Sequence, residues 1–244
     1  MKSLRLAGTS LLTAVLLSGC AVTSGPITQE QAQLALSSVE TPSALINFEL
    51  EENETTDGES DGYTESYDAS SICNSVAEIG QLTYQAGHGL GNKQSLPPEL
   101  RDFDVREGIV FEDTFGDDEE EYVSFYLTLL SFDSADSAEA FASSLKEAVE
   151  PCGDVQGSIE QRTTIKFESL DGPNDFSHRV RSIFEVFGIT LVGEQFDFLV
   201  QNGAVIGLVH TSASENGLSE SGLSTSDVDE IALGLLDQAF EGIK

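Results

Sequence analysis

Basic residues are scarce in this sequence, tryptophan is absent and cysteine occurs three times. Eleven lysine and arginine residues stand against 43 aspartate and glutamate residues, and the formal net charge is −32. A charge of this sign and size argues against binding to nucleic acid and against flat docking on anionic lipid, because both depend on basic side chains. The chain also has no Cys-x-x-Cys pair and no cluster of cysteine with histidine, so a zinc site is not expected.

Catalytic motifs are missing as well. There is no Gly-x-Ser-x-Gly elbow, and the three histidines, His88, His178 and His210, are far apart in the sequence. His210 ends a predicted strand, where we expect a packed or exposed side chain rather than a catalytic one. Carboxylate pairs are so numerous that their spacing does not indicate acid–base catalysis. We therefore expect a non-catalytic protein without a cofactor, and a hydrolase of unknown type is the weaker alternative.

The first 19 residues have the pattern of a secretory signal. Lys2 and Arg5 precede an apolar run, Leu6–Leu17, which is shorter than the about 20 residues that a bilayer-spanning helix needs. The sequence Leu17-Ser18-Gly19-Cys20 resembles the bacterial lipobox, in which the cysteine is lipidated and becomes the new N-terminus. The alternative is an ordinary signal peptide that is cleaved near Ala21.

The lipobox interpretation predicts where the protein lies in the cell. Residues 1–19 are removed, Cys20 carries diacylglycerol and palmitate, and residues 20–27 form a short tether. Two or more acyl chains hold a protein stably on a membrane. We therefore expect a protein on the extracytoplasmic side of the cell membrane, attached to it through the lipid anchor only.

The two remaining cysteines, Cys73 and Cys152, form an isolated pair. In an oxidising compartment such a pair is most simply a disulfide. It closes a loop of roughly 80 residues, for which the chain-entropy model gives about 4.5 kcal/mol of stabilisation. The alternative is two buried thiols.

Residues 49–68 contain nine acidic residues and no basic one. Within this stretch the spacing of oxygen ligands is that of a calcium-binding loop, with Gly62 at the sharp turn. The candidate ligands are Asp57, Glu59, Asp61, Glu65 and Asp68. The last position holds aspartate rather than the longer bidentate glutamate, position 8 of the loop is Thr64 rather than an apolar residue, and no amphipathic helix precedes the loop. We therefore expect a mobile, solvated loop that binds cations diffusely; the acidity also fits a salt-adapted host.

Residues 28–244 are long enough for one domain with its own core. Thr28-Gln29-Glu30-Gln31 predicts a helix with a capping box and with Leu34, Ala35 and Leu36 facing inward. Further helices are predicted after Asp136 and from about Ser226. Strands are predicted over residues 79–85, 108–115, 122–132, 163–170, 179–192 and 195–210, the last interrupted by an Asn202-Gly203 hairpin turn. This order predicts an α+β fold, in which helices pack on an antiparallel sheet, with one disulfide.

Four phenylalanines cluster in the late strands: Phe184, Phe187, Phe196 and Phe198. Because a sheet has two faces, one set faces the helices and the other is a candidate for lining a cleft. Core packing is the favoured interpretation, and a binding floor is the alternative.

Three features together resemble the PknH-like extracellular sensor domain family of actinobacteria. They are the strand and helix start FYLTLLSFDSADSAEAF, the helix end at Pro151-Cys152, and the hairpin QFDFLVQNGAVIGLVH before an amphipathic terminal helix. The resemblance covers about residues 28–244. It implies a cleft that faces an antiparallel sheet, and a ligand-sensing role. Family members often carry two disulfides, whereas this chain has cysteines for one. The resemblance therefore does not establish the geometry around the sheet.

The family occurs on receptor kinases and as free lipoproteins, and no kinase motif or transmembrane helix is found here. We therefore expect the lipoprotein form, which binds a small molecule or an envelope component in a sheet-backed cleft. A structural or protein-interaction module of the cell envelope is the alternative.

Overall fold

A computed structural model describes residues 24–43, 45, 83, 102–115, 121–149, 155–156, 161–186, 189–214 and 216–243, and the following concerns these residues. The strands are β1 (Val105–Phe115), β2 (Glu121–Ser131), β3 (Val155–Gln156), β4 (Gln161–Ser169), β5 (Phe176–Val186), β6 (Ile189–Asn202) and β7 (Val205–Ser214). The helices are α1 (Gln29–Ser37), α2 (Ala135–Val149), α3 (Gly217–Ser221) and α4 (Thr225–Gly242).

All of these strands belong to one antiparallel sheet in the order β1-β2-β7-β6-β5-β4-β3. The strand β3 is only two residues long and closes one edge. The α+β class with an antiparallel sheet and packed helices is thereby confirmed. The predicted single disulfide stays a prediction, because Cys73 and Cys152 lie outside the described residues.

The sheet has two faces with separate hydrophobic clusters. On the first, which we call the α4 face, alternate residues of β2, β6 and β7 pack against α1 and α4, for example Phe125, Phe198 and Val209. On the second, the α2 face, the intervening residues pack against α2, for example Leu130 and Leu208. This alternation follows from the period of two in a strand, in which successive side chains point to opposite faces.

The helices α1 and α4 each begin with a capping box. Thr28 and Gln31 form the predicted box at α1. At α4 the box consists of Ser224 and Asp227, so the helix begins before the predicted Ser226. A capping box satisfies two backbone N–H groups at once, and here those of Asp227 and Ser224 are satisfied in this way.

Three of the local predictions are wrong. Leu34 was expected to face inward but is 67% exposed, because Ala32, Ala35 and Leu36 form the buried side of α1. Thr83 was expected in a strand, as its β-branched side chain favours, but is helical. The strand predicted over residues 179–192 is two strands, since β5 ends at residue 186 and β6 begins at residue 189.

The hairpin predicted at Asn202-Gly203 is confirmed, but its turn lies one residue later. Asn202 pairs with Val205, so the two-residue loop is Gly203-Ala204. Gly203 has a φ of 64°, the left-handed conformation that glycine adopts at little cost.

The segment before α1 is attached to the sheet. The Ser24 N–H donates to Asn202 Oδ1 at 3.2 Å, and the Ile27 N–H donates to the Ser131 hydroxyl at 2.9 Å. Residues 24–27, which belong to the predicted tether, are therefore held by the fold. Residues 1–19, Cys20 and the acidic stretch 49–68 lie outside the described residues. Among the helices that are described, none has the length and hydropathy to cross a membrane.

Candidate functional site

A row of polar and aromatic side chains crosses the middle of the α2 face. The strand register places Tyr126, His210, Asp197, His178 and Phe167 directly opposite one another on β2, β7, β6, β5 and β4. Directly paired residues of neighbouring strands share a face, so these five side chains form one line, which we call the central row.

Asp197 lies between the two histidines of the central row. Its Oδ1 is 2.6 Å from Nδ1 of His210, and its Oδ2 is 2.9 Å from Nε2 of His178. The contact with His210 has hydrogen-bond geometry, whereas the contact with His178 is short but poorly aligned for a hydrogen bond. One carboxylate therefore bridges two imidazole rings that belong to the strands on either side of it.

All three of these groups are removed from solvent. His178 is 0% exposed, Asp197 is 1% exposed and His210 is 6% exposed. The rings are also held by aromatic neighbours, because Phe176 stacks on His178 with 6.3 Å between ring centroids and Tyr126 lies 5.7 Å from His210. These aromatic contacts lie beside the imidazole rings on the same face of the sheet.

The electrostatics of Asp197 follow from this arrangement. Burial alone raises the pKa of its carboxyl group, because a low-dielectric interior disfavours the charged form. The charges of His210 and His178 and their close contacts with the carboxylate outweigh burial, and the net effect is a lowered pKa. Asp197 is therefore an anion that its two neighbours stabilise inside the protein.

Each imidazole keeps one nitrogen for another partner. Nδ1 of His178 is buried and has no hydrogen-bond partner among the described residues. Unsatisfied buried nitrogens are uncommon in folded proteins, because each costs free energy of desolvation. Nε2 of His178 is likewise without a well-aligned hydrogen bond, although it lies 2.9 Å from Asp197. No group of three metal-ligating side chains suited to a metal ion occurs in the described part of the chain.

The late-strand phenylalanines have another place in the fold. Phe196 and Phe198 are 2% exposed and belong to the α4-face cluster, which corresponds to the favoured interpretation of core packing. The side chain of Phe184 and the whole of Phe187 lie outside the described part of the chain, so their role as cleft lining stays a prediction. The same holds for Cys20, Cys73 and Cys152, and for the candidate calcium ligands Asp57, Glu59, Asp61, Glu65 and Asp68.

Two shallow clefts lie on the outer side of α4 rather than on the α2 face. The larger has a volume of about 660 Å³ between α1 and the end of α4, and Glu40 and Glu241 lie on its wall. The second, of about 540 Å³, adjoins it at Gln238. Both are open and partly acidic, and neither contains a late-strand aromatic residue.

No protein-family model matches the chain, and no curated protein sequence matches it. The fold is similar to the extracellular domain of PknH from Mycobacterium tuberculosis, with 16% identity and a TM-score of 0.38. The similarity covers 57% of this chain, which spans 66% of the length of the PknH domain. CalU16 from Micromonospora echinospora has 16% identity and a TM-score of 0.25 over 56% of this chain and 86% of its own. Likenesses this distant assign neither a family nor a function.

Sequence reasoning did not find the central row. Asp197 was visible as a single acid between Phe196 and Phe198 in an otherwise apolar strand, and that pattern is a usable signal for a buried carboxylate. Its partners were not visible. An Asn202-Gly203 loop places Leu208 opposite Asp197, whereas the Gly203-Ala204 loop places His210 there.

Proposed function

We propose that this protein is a membrane-anchored, extracytoplasmic, non-catalytic domain that binds a small hydroxyl-bearing molecule at the central row of its sheet. The lipobox at Cys20 supports the anchor and the compartment. The observation that carries the binding function is the buried Nδ1 of His178, which has no partner among the described residues and lies beside an Asp197 carboxylate shared with His210.

The charge arrangement selects the chemistry of the ligand. A neutral imidazole whose N–H faces Asp197 presents its other nitrogen as an acceptor, whereas a protonated imidazole presents a second donor. A hydroxyl group both donates and accepts hydrogen bonds, so it fits either form. A small polyol, sugar or similar envelope component therefore matches the row, and the neighbouring rings of Phe176 and Tyr126 offer apolar contact for its carbon atoms.

No nucleophile lies beside the row in the part of the chain that the structure describes, and this supports a binding role over a hydrolytic one. In the described residues, neither His178 nor His210 makes a hydrogen bond to a serine, threonine or cysteine side chain. The Ser212 hydroxyl, on the same face of β7 as His210, is within 3.4 Å of the Tyr122 hydroxyl instead. An acid–base pair without an activated nucleophile or a metal has no evident hydrolytic step to perform.

The near-complete burial of the row favours a second candidate, a structural module of the envelope. The exposed fractions are 0% for His178, 1% for Asp197 and 6% for His210. In this alternative the central row fixes the register of three strands and binds nothing. Buried ionic groups serve such a purpose in some proteins, although they seldom add net stability.

One variant separates the two candidates. His178→Gln places an amide nitrogen near the position of Nε2, so the contact with Asp197 is retained while the unpartnered Nδ1 is lost. Asp229→Asn is the matched control, because it lies on α4 and its partner Arg179 points to the opposite face of the sheet. Wild-type protein and both variants are purified, extracted under denaturing conditions and analysed by mass spectrometry for retained molecules.

We expect a hydroxyl-bearing compound from wild-type protein and from Asp229→Asn, and at least tenfold less from His178→Gln. The compound, once identified, is added back in a thermal-shift titration. Equal retention by all three proteins would place the ligand elsewhere. If none of the three proteins retains a compound, and if no polyol or sugar of a test panel shifts the melting temperature, the structural module is favoured.

The anchor has its own test. Cys20→Ala is expressed in cells, which are then separated into membrane and soluble fractions. We expect the variant to leave the membrane fraction, since no acyl chain remains to hold it. Unchanged membrane retention would contradict lipid attachment at Cys20.

A further inference from the structure

The chain is fixed to one end of the sheet from Ser24 onward. The Ala204 N–H donates to the Ser24 carbonyl oxygen at 2.7 Å, and the Ser24 N–H donates to Asn202 Oδ1 at 3.2 Å. Three residues later, Ile27 is 7% exposed in the cluster beneath α1 and α4. Ser24 therefore moves with the β6–β7 turn and with the body of the protein.

Gly203 permits this attachment in two ways. Its φ of 64° suits glycine, and a Cβ atom at this position would collide with the carbonyl oxygen of Ser24. The turn is therefore shaped to receive the incoming chain as well as to reverse the strand.

Only four residue steps separate Cys20 from Ser24, and an extended chain covers at most about 3.6 Å per residue, or roughly 14 Å in all. We infer that the end of the sheet formed by the β6–β7 turn is the surface of the protein that faces the bilayer, with the strands pointing away from it. This inference rests on the lipid attachment at Cys20 in the proposed function, but not on the ligand. We call this end the proximal end.

The proximal end is defined by the strand directions. It contains the β6–β7 turn and the connection from β4 to β5, which are joined where the Gln201 N–H donates to Asp175 Oδ1 at 3.0 Å. The distal end contains the start of β2 and the helix α3, whose Gly217 lies against the backbone of Tyr122. Ten residues of strand at about 3.4 Å each separate the two ends by roughly 35 Å.

Acidic side chains outnumber basic ones among the described residues of the proximal end, where Lys146 donates to the Pro173 carbonyl oxygen at 3.2 Å. Asp102, Asp104 and Asp133 are exposed there, and the pKa of Asp133 is raised by its hydrogen bond with Asp104 and by the charge of that neighbour. Anionic lipid headgroups repel such a surface. The acyl chains therefore hold this end at the bilayer against a repulsion, and the short connection to Ser24 determines the orientation.

The orientation also places the central row. Asp197 lies five residues before Asn202 on β6, so it is about 17 Å from the turn along the strand. The row is therefore about halfway up the protein, clear of the lipid headgroups.

Energy transfer from the protein to labelled lipid tests the orientation. A fluorescent non-natural amino acid replaces either Asp171, which is exposed near the proximal end, or Glu220, which is exposed on α3 at the distal end. The acylated proteins are placed in zwitterionic vesicles that contain an acceptor-labelled lipid. In a matched control, twelve glycine and serine residues are inserted after Ala21, which lengthens the tether and leaves the contacts of Ser24 unchanged.

We expect strong transfer from position 171 and several-fold weaker transfer from position 220, and we expect the insertion to remove most of that difference. Equal transfer from the two positions with the natural tether, or stronger transfer from position 220, overturns the orientation even when mass spectrometry shows acylated Cys20. Protein that carries no acyl group on Cys20 overturns the anchor, and the inference with it.

Discussion

Replacing Asp197 by asparagine tests the energetics of the central row. The substitution keeps the size of the side chain but removes the anion that lies 2.6 Å from His210 and 2.9 Å from His178. Removal of one partner from a fully buried ion pair typically costs about 3–5 kcal/mol, because the remaining groups stay buried without compensation. We expect a loss of this size in the free energy of unfolding at pH 7, measured by urea denaturation with far-UV circular dichroism.

Asp229→Asn is the control for this measurement. Asp229 pairs with Arg179, but their side chains are 33% and 25% exposed, so water screens the pair. Partly exposed pairs contribute up to about 1 kcal/mol. If Asp197→Asn costs no more than Asp229→Asn, the argument that the buried carboxylate is stabilised by its two histidines is incorrect.

The pH dependence gives a second check with a definite sign. The pKa of Asp197 is lower in the folded protein than the value of about 3.9 expected in the unfolded chain. Its contribution to stability is therefore complete above about pH 5 and is lost as the pH falls through the folded-state pKa. The difference in unfolding free energy between wild type and Asp197→Asn should shrink from pH 7 to pH 3. A difference that grows on acidification would contradict the assigned shift.

Three further predictions concern other parts of the chain. Gly207→Ala places a Cβ 2.5 Å from Leu236 Cδ2 on α4, and we expect the free energy of unfolding, measured by thermal denaturation, to fall by about 1–3 kcal/mol. An unchanged free energy of unfolding would contradict a tight contact between β7 and α4. Cys73 and Cys152 should be alkylated only after reduction, which mass spectrometry detects as a mass gain that the unreduced protein lacks. Alkylation of unreduced protein would show free thiols and contradict the disulfide. Calorimetry with calcium should give weak heat without saturation, whereas a stoichiometric site abolished by Asp61→Ala would contradict the solvated loop.

The sheet was predictable because its strands are long and its pattern is regular. β2 and β7 are rich in apolar and β-branched residues, and Asn202-Gly203 indicated the hairpin between β6 and β7. The helix caps were predictable in kind, although Ser224 and Ser226 both satisfy the local pattern two residues apart. Only the fold decides between them, through the contacts of α4 with the sheet.

The central row was not predictable, because it depends on the register of three strands. The β5–β6 connection was missed within an unbroken strand-like sequence, so His178 had no assigned partner. A shift of one residue at the β6–β7 turn then moved the partner of Asp197 from Leu208 to His210. Hairpin register is determined by the turn, and turns differ by local energies that a single sequence does not reveal.

The position of β7 has a consequence for the folding of the protein. β7 is the last of the described strands in the sequence, yet it joins β2 on one side to β6 on the other, so the two parts of the sheet meet only through it. Pairing between strands this distant in sequence is slow. Until β7 pairs, β1-β2 and β6-β5-β4-β3 are separate parts, and β2 and β6 each expose an unpaired edge that can pair with another chain.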